Sequence, residues 1–175
     1  MRLDFQKHDV LVLLACDHRK GVWASECFVK NSKTVRNAGQ ISTTASAHTL
    51  QLIALVNALR SVSKSQAIRL VDAAPRGTSR PRVLVTSLDA TFIEALQTMT
   101  DDSNRESMNP LRVGKNFLTL LAQQRERFTL DIQPLPADDN SGLVLLNWAR
   151  KNVVSPRLIA NLPLSLFPTA ASVMV

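Results

Sequence analysis

The order of apolar segments predicts an α/β protein. Its mixed sheet opens with three antiparallel strands, continues in βα units and carries helices on both faces. Three observations predict this. Short apolar runs at 9–16, 22–29 and 34–41 are separated by turns too short for a crossover, as in a meander. A helix-period stripe follows at 48–62. From residue 82 onward, strand-like and helix-like segments alternate, the order of a layered sheet.

Each element has its own signal. Residues 9–16, DVLVLLAC, form an apolar run too short for a lone helix and read as a buried strand. Asp17-His18-Arg19-Lys20-Gly21 makes the turn, and VWASECFV (22–29) reads as the second strand. The third strand is placed around 34–41, with Asn37-Ala38-Gly39 as a turn signal nearby. Ser42, Thr43 and Thr44 supply capping side chains for a helix in which Leu52, Leu55, Val56 and Leu59 recur at helical spacing. Apolar residues almost surround that helix, so Leu55 and Leu59 are expected in the core. Further helical turns are expected over 66–73, with a break at Pro75, Gly77 and Pro81. RVLVT (82–86) suits a central parallel strand. A helix capped by Ser87 or Asp89 then runs to Met99, and a loop covers 100–114. A helix over 116–127, a strand over 128–134 and a last helix capped at Asn140-Ser141 complete the order. Residues 1–152 are expected to form one domain. Residues 153–175 form an apolar tail with Pro156, Pro163 and Pro168 and no charged side chain after Arg157.

The 175 residues carry 21 Lys plus Arg against 14 Asp plus Glu, a formal net charge of +7. The 45% hydrophobic content and the modest net charge per residue exclude an intrinsically disordered chain, and the pI is near 10.1. A basic balance favours a polyanionic partner such as nucleic acid. No apolar run is long enough to span a bilayer, and Asp4, Gln6, Lys7, His8 and Asp9 interrupt any secretory apolar core, so an intracellular protein is expected. Cys16 and Cys27 lie in strand-like runs and read as buried reduced thiols. Two cysteines and three scattered histidines do not make a zinc site.

The local sequence resembles the ribonuclease H-like superfamily over roughly residues 9–152. VLVLLACDH, ending at His18, resembles the family's first strand, which ends near a metal-binding Asp; Asp17 takes that position. SAHTLQLIALVNALRSV (46–62) resembles the first helix, and the family's metal-binding Glu falls on Gln51. RVLVTSLDATFIEAL (82–96) resembles the fourth strand and its helix, where the family's next Asp falls on Ser87, with Asp89 two residues later. NSGLVLLNWARKN (140–152) resembles the last helix, and the final acid falls on Val144–Leu146.

The resemblance implies a fold built for two-metal phosphodiester hydrolysis. The departures argue against that chemistry here. Two divalent ions roughly 3.5–4 Å apart need flanking carboxylates, and hard Mg²⁺ binds poorly to an uncharged amide. One Asp and a Gln orient a weak Mg²⁺ at Asp17 at most, and no other cofactor is expected. Asp138 or Asp139 is the alternative source for the missing last acid. A degenerate, non-catalytic member is therefore expected. A divergent nuclease using Asp17, Asp89 and Asp138 or Asp139 is the alternative.

No phosphate-loop, dinucleotide or nucleophile-elbow motif occurs. Cys16-Asp17-His18 is not a nucleophile with its base, because adjacent strand residues point to opposite faces. Basic residues cluster twice. Arg60, Lys64, Arg69, Arg76, Arg80 and Arg82 lie in a stretch whose only acid is Asp72, and Arg19, Lys20, Lys30, Lys33 and Arg36 face only Glu26. Such residues on loops suit phosphate contacts that carry no sequence reading. Aromatic interleaving is poor, with no Tyr and with Trp23 and Trp148 isolated, so no base-stacking platform is expected. The expected function is a non-catalytic domain that binds nucleic acid or a nucleoprotein complex through basic loops. The alternative is an assembly module, in which the tail 153–175 contacts a protein partner or a second copy.

Overall fold

The structure is a computed structural model in which residues 7–30, 32–41, 45–63, 80–100, 111 and 115–153 are described. The chain order is β1 (Val10–Asp17), β2 (Val22–Val29), β3 (Val35–Gln40), α1 (Ala47–Ser63), β4 (Arg82–Ser87), α2 (Ala90–Thr100), α3 (Lys115–Arg127), β5 (Thr129–Pro134) and α4 (Ser141–Asn152). One five-stranded sheet has the order β3-β2-β1-β4-β5. The pairs β1–β2 and β2–β3 are antiparallel, whereas β1–β4 and β4–β5 are parallel. This is the expected mixed sheet.

The continuous apolar run of β1 follows from its central place, since both of its faces are covered. Val10, Val12 and Leu14 face Leu52, Leu55 and Leu59 of α1, in a cluster that also takes Phe92 and Leu96 of α2 and Leu121 of α3. Leu13 and Ala15 face the other way and meet Leu145, Leu146 and Ala149 of α4. Among the described residues, α1, α2 and α3 thus cover one face of the sheet and α4 covers the other. Leu55 and Leu59 are fully buried, as the helical stripe predicts.

Two local expectations are corrected. Asn37-Ala38-Gly39 is not a turn but the middle of β3, pairing with Ser25, Ala24 and Trp23. Gly39 is there because the Trp23 ring lies on its α-carbon: a Cβ would come within 2.6 Å of Cζ2. The β1–β2 reversal does use a glycine for its conformation, with Gly21 at φ 65°. At the start of α4, Asn140 is the N-cap as expected, but it makes no side-chain cap bond. The neighbouring Asp139 Oδ1 instead accepts the Ser141 N–H at 2.8 Å. The helical turns expected over 66–73, the loop expected over 100–114 apart from Leu111, and the tail beyond Val153 lie outside the described residues.

Candidate functional site at the carboxyl ends of β1 and β4

Because β1 and β4 are parallel and paired from Val10↔Val83 to Leu14↔Ser87, they bring Asp17 and Ser87 to the same end of the sheet. Strand alternation then separates them by face. Val83, Val85 and Ser87 point toward α1, and Gln51 of α1 meets Ser87 there. The Ser87 hydroxyl donates to Gln51 Oε1 at 2.6 Å, and Gln51 Nε2 donates to Asp89 Oδ2 at 3.0 Å. Ser87 Oγ also accepts the Asp89 N–H at 3.1 Å. Both Ser87 and Gln51 are 1% exposed, so the amide–hydroxyl part of this chain is sealed from water, while Asp89 is half-buried at its outer end.

Asp89 caps α2. Its Oδ1 accepts the Phe92 N–H at 3.1 Å and the Thr91 hydroxyl at 2.6 Å. Burial alone would raise its pKa, but the Thr91 and Phe92 donors and the nearby His48 outweigh it and hold the carboxyl below its ordinary value. His48 Nε2 lies 3.2 Å from Thr91 Oγ1.

Cys16 also faces α1, and its Sγ lies 3.8 Å from the Ala47 carbonyl oxygen. Burial, then the charges of Asp89 and Asp17, push this thiol up to about 11. Cys27 contacts the Ala58 carbonyl in the same way and is pushed to about 12, chiefly by burial. Both cysteines are free thiols; Cys27 is buried as expected, whereas Cys16, next to the end of β1, is only half-buried. Cys16 is therefore no nucleophile at neutral pH.

Asp17 points to the opposite face, where α4 supplies a partner. Arg150 Nη2 donates to Asp17 Oδ2 at 2.7 Å and Arg150 Nε to the same oxygen at 3.1 Å. The Lys20 N–H reaches Asp17 Oδ1 at 3.3 Å. Burial opposes ionisation of Asp17, but Arg150 and Lys20 more than compensate and lower its pKa.

These residues do not fit a two-ion centre. Gln51 offers Asp89 an amide donor where a metal ligand would present an oxygen. Both oxygens of Asp89 are taken within the protein, and Asp17 is paired with a guanidinium. On α4, Val144 is exposed and Leu145 and Leu146 are buried, so no acid stands at the last expected position. Asp139 is engaged at the start of α4, while Asp138 sits exposed in the preceding loop. Among the described residues no group of three or more His, Cys, Asp or Glu is placed to hold a metal ion.

The predicted basic residues fall at separate places. Arg19 and Lys20 are exposed in the β1–β2 turn, beside Asp17. Arg80 and Arg82 precede or open β4, at the far end of the sheet, where Arg82 pairs with Asp131 at 2.8 Å and Arg80 donates to the Arg125 carbonyl at 3.1 Å. Arg60 is half-buried in the last turn of α1, and Lys33 lies in the β2–β3 connection. Arg36 binds Glu26 at 2.7 Å and stands 5.5 Å over the Trp148 ring. Lys64, Arg69 and Arg76 lie outside the described residues.

Sequence reasoning missed Arg150 and Thr91. Arg150 carried only the weak signal of a basic residue in a helix's last turn, and its partner Asp17 is 133 positions away.

A five-stranded mixed sheet of this order, with α4 on one face and α1, α2 and α3 on the other, is the ribonuclease H-like fold. The fold is shared with solved ribonuclease H structures at low sequence identity. LC11-RNase H1, solved in complex with an RNA/DNA hybrid, matches at TM-score 0.51 and 13% identity, covering 80% of this chain and 95% of that one. RNase H1 from the halophilic archaeon Halobacterium salinarum NRC-1 matches at TM-score 0.52 and 14% identity, covering 81% and 97%. The N-terminal RNase H domain of a Mycobacterium tuberculosis protein, solved as a maltose-binding-protein fusion, matches at TM-score 0.51 and 12% identity, covering 81% and 94%. No protein-family profile matches the chain. No curated protein matches it either.

Proposed function

We propose that the chain is a non-hydrolytic ribonuclease H-like domain that binds the phosphates of nucleic acid directly, without a metal bridge. The observation that carries this reading is the sign of the charge at the carboxyl ends of β1 and β4. A two-metal centre gathers carboxylates, and their charge calls for cations. Here Arg150 neutralises Asp17, Gln51 stands in place of an acid, and Asp89 is turned inward to its hydrogen-bond donors. Arg19 and Lys20, exposed in the turn, and Lys151, exposed in the last turn of α4, add cations on the Asp17 side of that end, while Asp138 and Asp139 follow β5 on the other side. Lys and Arg at such an end contact phosphodiesters without reading bases. One fold relative was solved with an RNA/DNA hybrid, which makes that duplex the first ligand to try.

The test is a fluorescence titration with RNA/DNA hybrid, duplex DNA and single strands at two salt concentrations. Affinity should fall steeply with salt. Arg19→Glu with Lys20→Glu should weaken every ligand about 10-fold or more and flatten the salt slope by roughly 2. Lys33→Glu, at the other end of the sheet, should change little. Incubation of the hybrid with Mg²⁺ or Mn²⁺ should leave it intact. Turnover that disappears in Asp17→Asn would overturn the non-hydrolytic reading and favour the divergent nuclease.

A further inference from the structure

β2 carries one residue against its own pattern. Val22 and Ala24 face α4 in the smaller core cluster, and strand alternation puts Glu26 and Phe28 on that same face. An apolar residue would suit position 26, yet a carboxylate stands there with its side chain 9% exposed. A carboxylate is costly to bury unless its oxygens find donors. Arg36, directly across on β3, supplies one donor: its Nε reaches Glu26 Oε1 at 2.7 Å. The guanidinium is held over the Trp148 ring, 5.5 Å from its centre, and does not close a two-point fork on the acid. Among the described residues nothing donates to Glu26 Oε2, and that oxygen is not sealed in the core.

Glu26 opens onto a groove of about 690 Å³ between β2 and the start of α4. Asp138 and Asp139 stand on the same walls, so three acids face one cation, Arg36. This is an acidic recess in a chain of net charge +7. Asp139 is engaged by the Ser141 N–H. Asp138 is exposed, and among the described residues no cation pairs with it. Phe28, Pro136 and Val144 supply an apolar wall, and Val144 is 58% exposed. A buried carboxylate with one oxygen unused, a second acid at the rim and an apolar wall together match an organic cation. The charged head meets the acids while the stem covers the apolar side chains. A metal ion matches less well. Arg36 already shares the Glu26 carboxylate, and among the described residues no three ligating side chains are placed to hold an ion.

We propose that this groove binds an ammonium or guanidinium group on an apolar stem, with the head between Glu26 Oε2 and Asp138 and the stem along Phe28 and Val144. Polyamines and the Arg or Lys side chains of a peptide both carry that group. None of the residues assigned to phosphate contact takes part, so the inference does not rest on the nucleic-acid reading.

An amide-resolved NMR titration of the full chain with butylguanidinium tests it. Shifts should concentrate at residues 26–28, 36 and 138–144. Guanidinium ion, which lacks the stem, and n-butanol, which lacks the charge, should each bind at least about 10-fold more weakly. Glu26→Gln should weaken butylguanidinium about 10-fold or more. Asp138→Asn, at an exposed loop position, should weaken it several-fold at an unchanged Tm, so that lost binding there is not lost folding. Affinity unchanged in both variants, shifts spread over acids across the whole surface, or equal binding of bare guanidinium would overturn the proposal. Spermidine and an acetylated Gly-Arg-Gly amide are then set against butylguanidinium. Displacement by spermidine at the lower concentration assigns the groove to a polyamine, and displacement by the peptide assigns it to a protein partner. Displacement by neither overturns it.

Discussion

Gln51 shows how completely a single amide is committed. Its oxygen accepts from Ser87 and its nitrogen donates to Asp89, at 1% exposure. Gln51→Glu would replace the donor with an acceptor and set two carboxylates together in a sealed place. The variant should lose about 1–3 kcal/mol in urea melts at pH 8. Because the new carboxyl would be protonated on acidification and regain a donor, the loss should shrink at pH 5. Asp17 responds to pH in the other direction. Its folded pKa lies below the ordinary 3.8, since Arg150 and Lys20 outweigh burial. The stability it contributes is complete above that ordinary value and is lost as pH falls through the lower folded value. Asp89 and Asp131 shift in the same direction, burial again being outweighed by their donors. Tm measured from pH 6 to pH 2 should therefore fall below about pH 4, and Arg150→Gln should flatten part of that fall. That positions 51 and 87 carry an amide and a hydroxyl and no acid was legible in the sequence because it is residue type alone. The pairing of Asp17 with Arg150 was not, because it depends on which face of β1 the last side chain takes and on what α4 presents there.

The elements themselves were written in apolar period. β1 and α1 stood out because each is buried almost all round, and that same burial makes them costly to alter. Leu55→Ala or Leu59→Ala should cost on the order of 2–5 kcal/mol in chemical denaturation, and a neutral result at both would contradict the placement of α1. β3 was harder to read. It is an edge strand whose Val35 and Arg36 are exposed, so its alternation is weak, and Asn37 and Gly39 carry turn chemistry. What overrode that chemistry was the Trp23 ring, which needs a residue without a Cβ opposite it. Gly39→Ala should then cost roughly 1–3 kcal/mol by displacing Trp23, although φ there suits any residue. A Tm equal to the parent's would mean that the ring moves aside freely. Asn140 holds the N-cap position of α4 that the sequence gives it, but the side-chain bond to the helix start comes from the neighbouring Asp139.

At the scale of the molecule, the two basic clusters of the sequence do not become one surface. Arg82 and Arg36 are paired with acids, at 2.8 and 2.7 Å. The exposed cations nearest Asp17 come from a turn and from the last turn of α4 instead. Charge counts along a chain cannot foresee this, since β2 runs the length of the sheet antiparallel to β1 and sets Arg19 and Lys20 at one end and Lys33 at the other. A charge-swap series should thus sort by end, with changes at Arg19, Lys20 and Lys151 weakening nucleic acid and changes at Lys33 not doing so. Equal losses from both ends would point to diffuse attraction by the net charge of +7.

The two thiols touch one helix at well-separated points. Cys16 of β1 lies against the Ala47 carbonyl, in the first turn of α1, and Cys27 of β2 lies against the Ala58 carbonyl, three turns further along. The chain therefore carries its own clock for the detachment of α1 from the sheet. Alkylation under native conditions proceeds only when a thiol is uncovered. Because Cys16 is half-buried and Cys27 buried, peeling from the first turn would show as a Cys16 rate that climbs at denaturant concentrations where Cys27 stays unmodified. Equal rates, rising together with denaturant, would show that α1 leaves as a unit and that its release is the opening of the whole core.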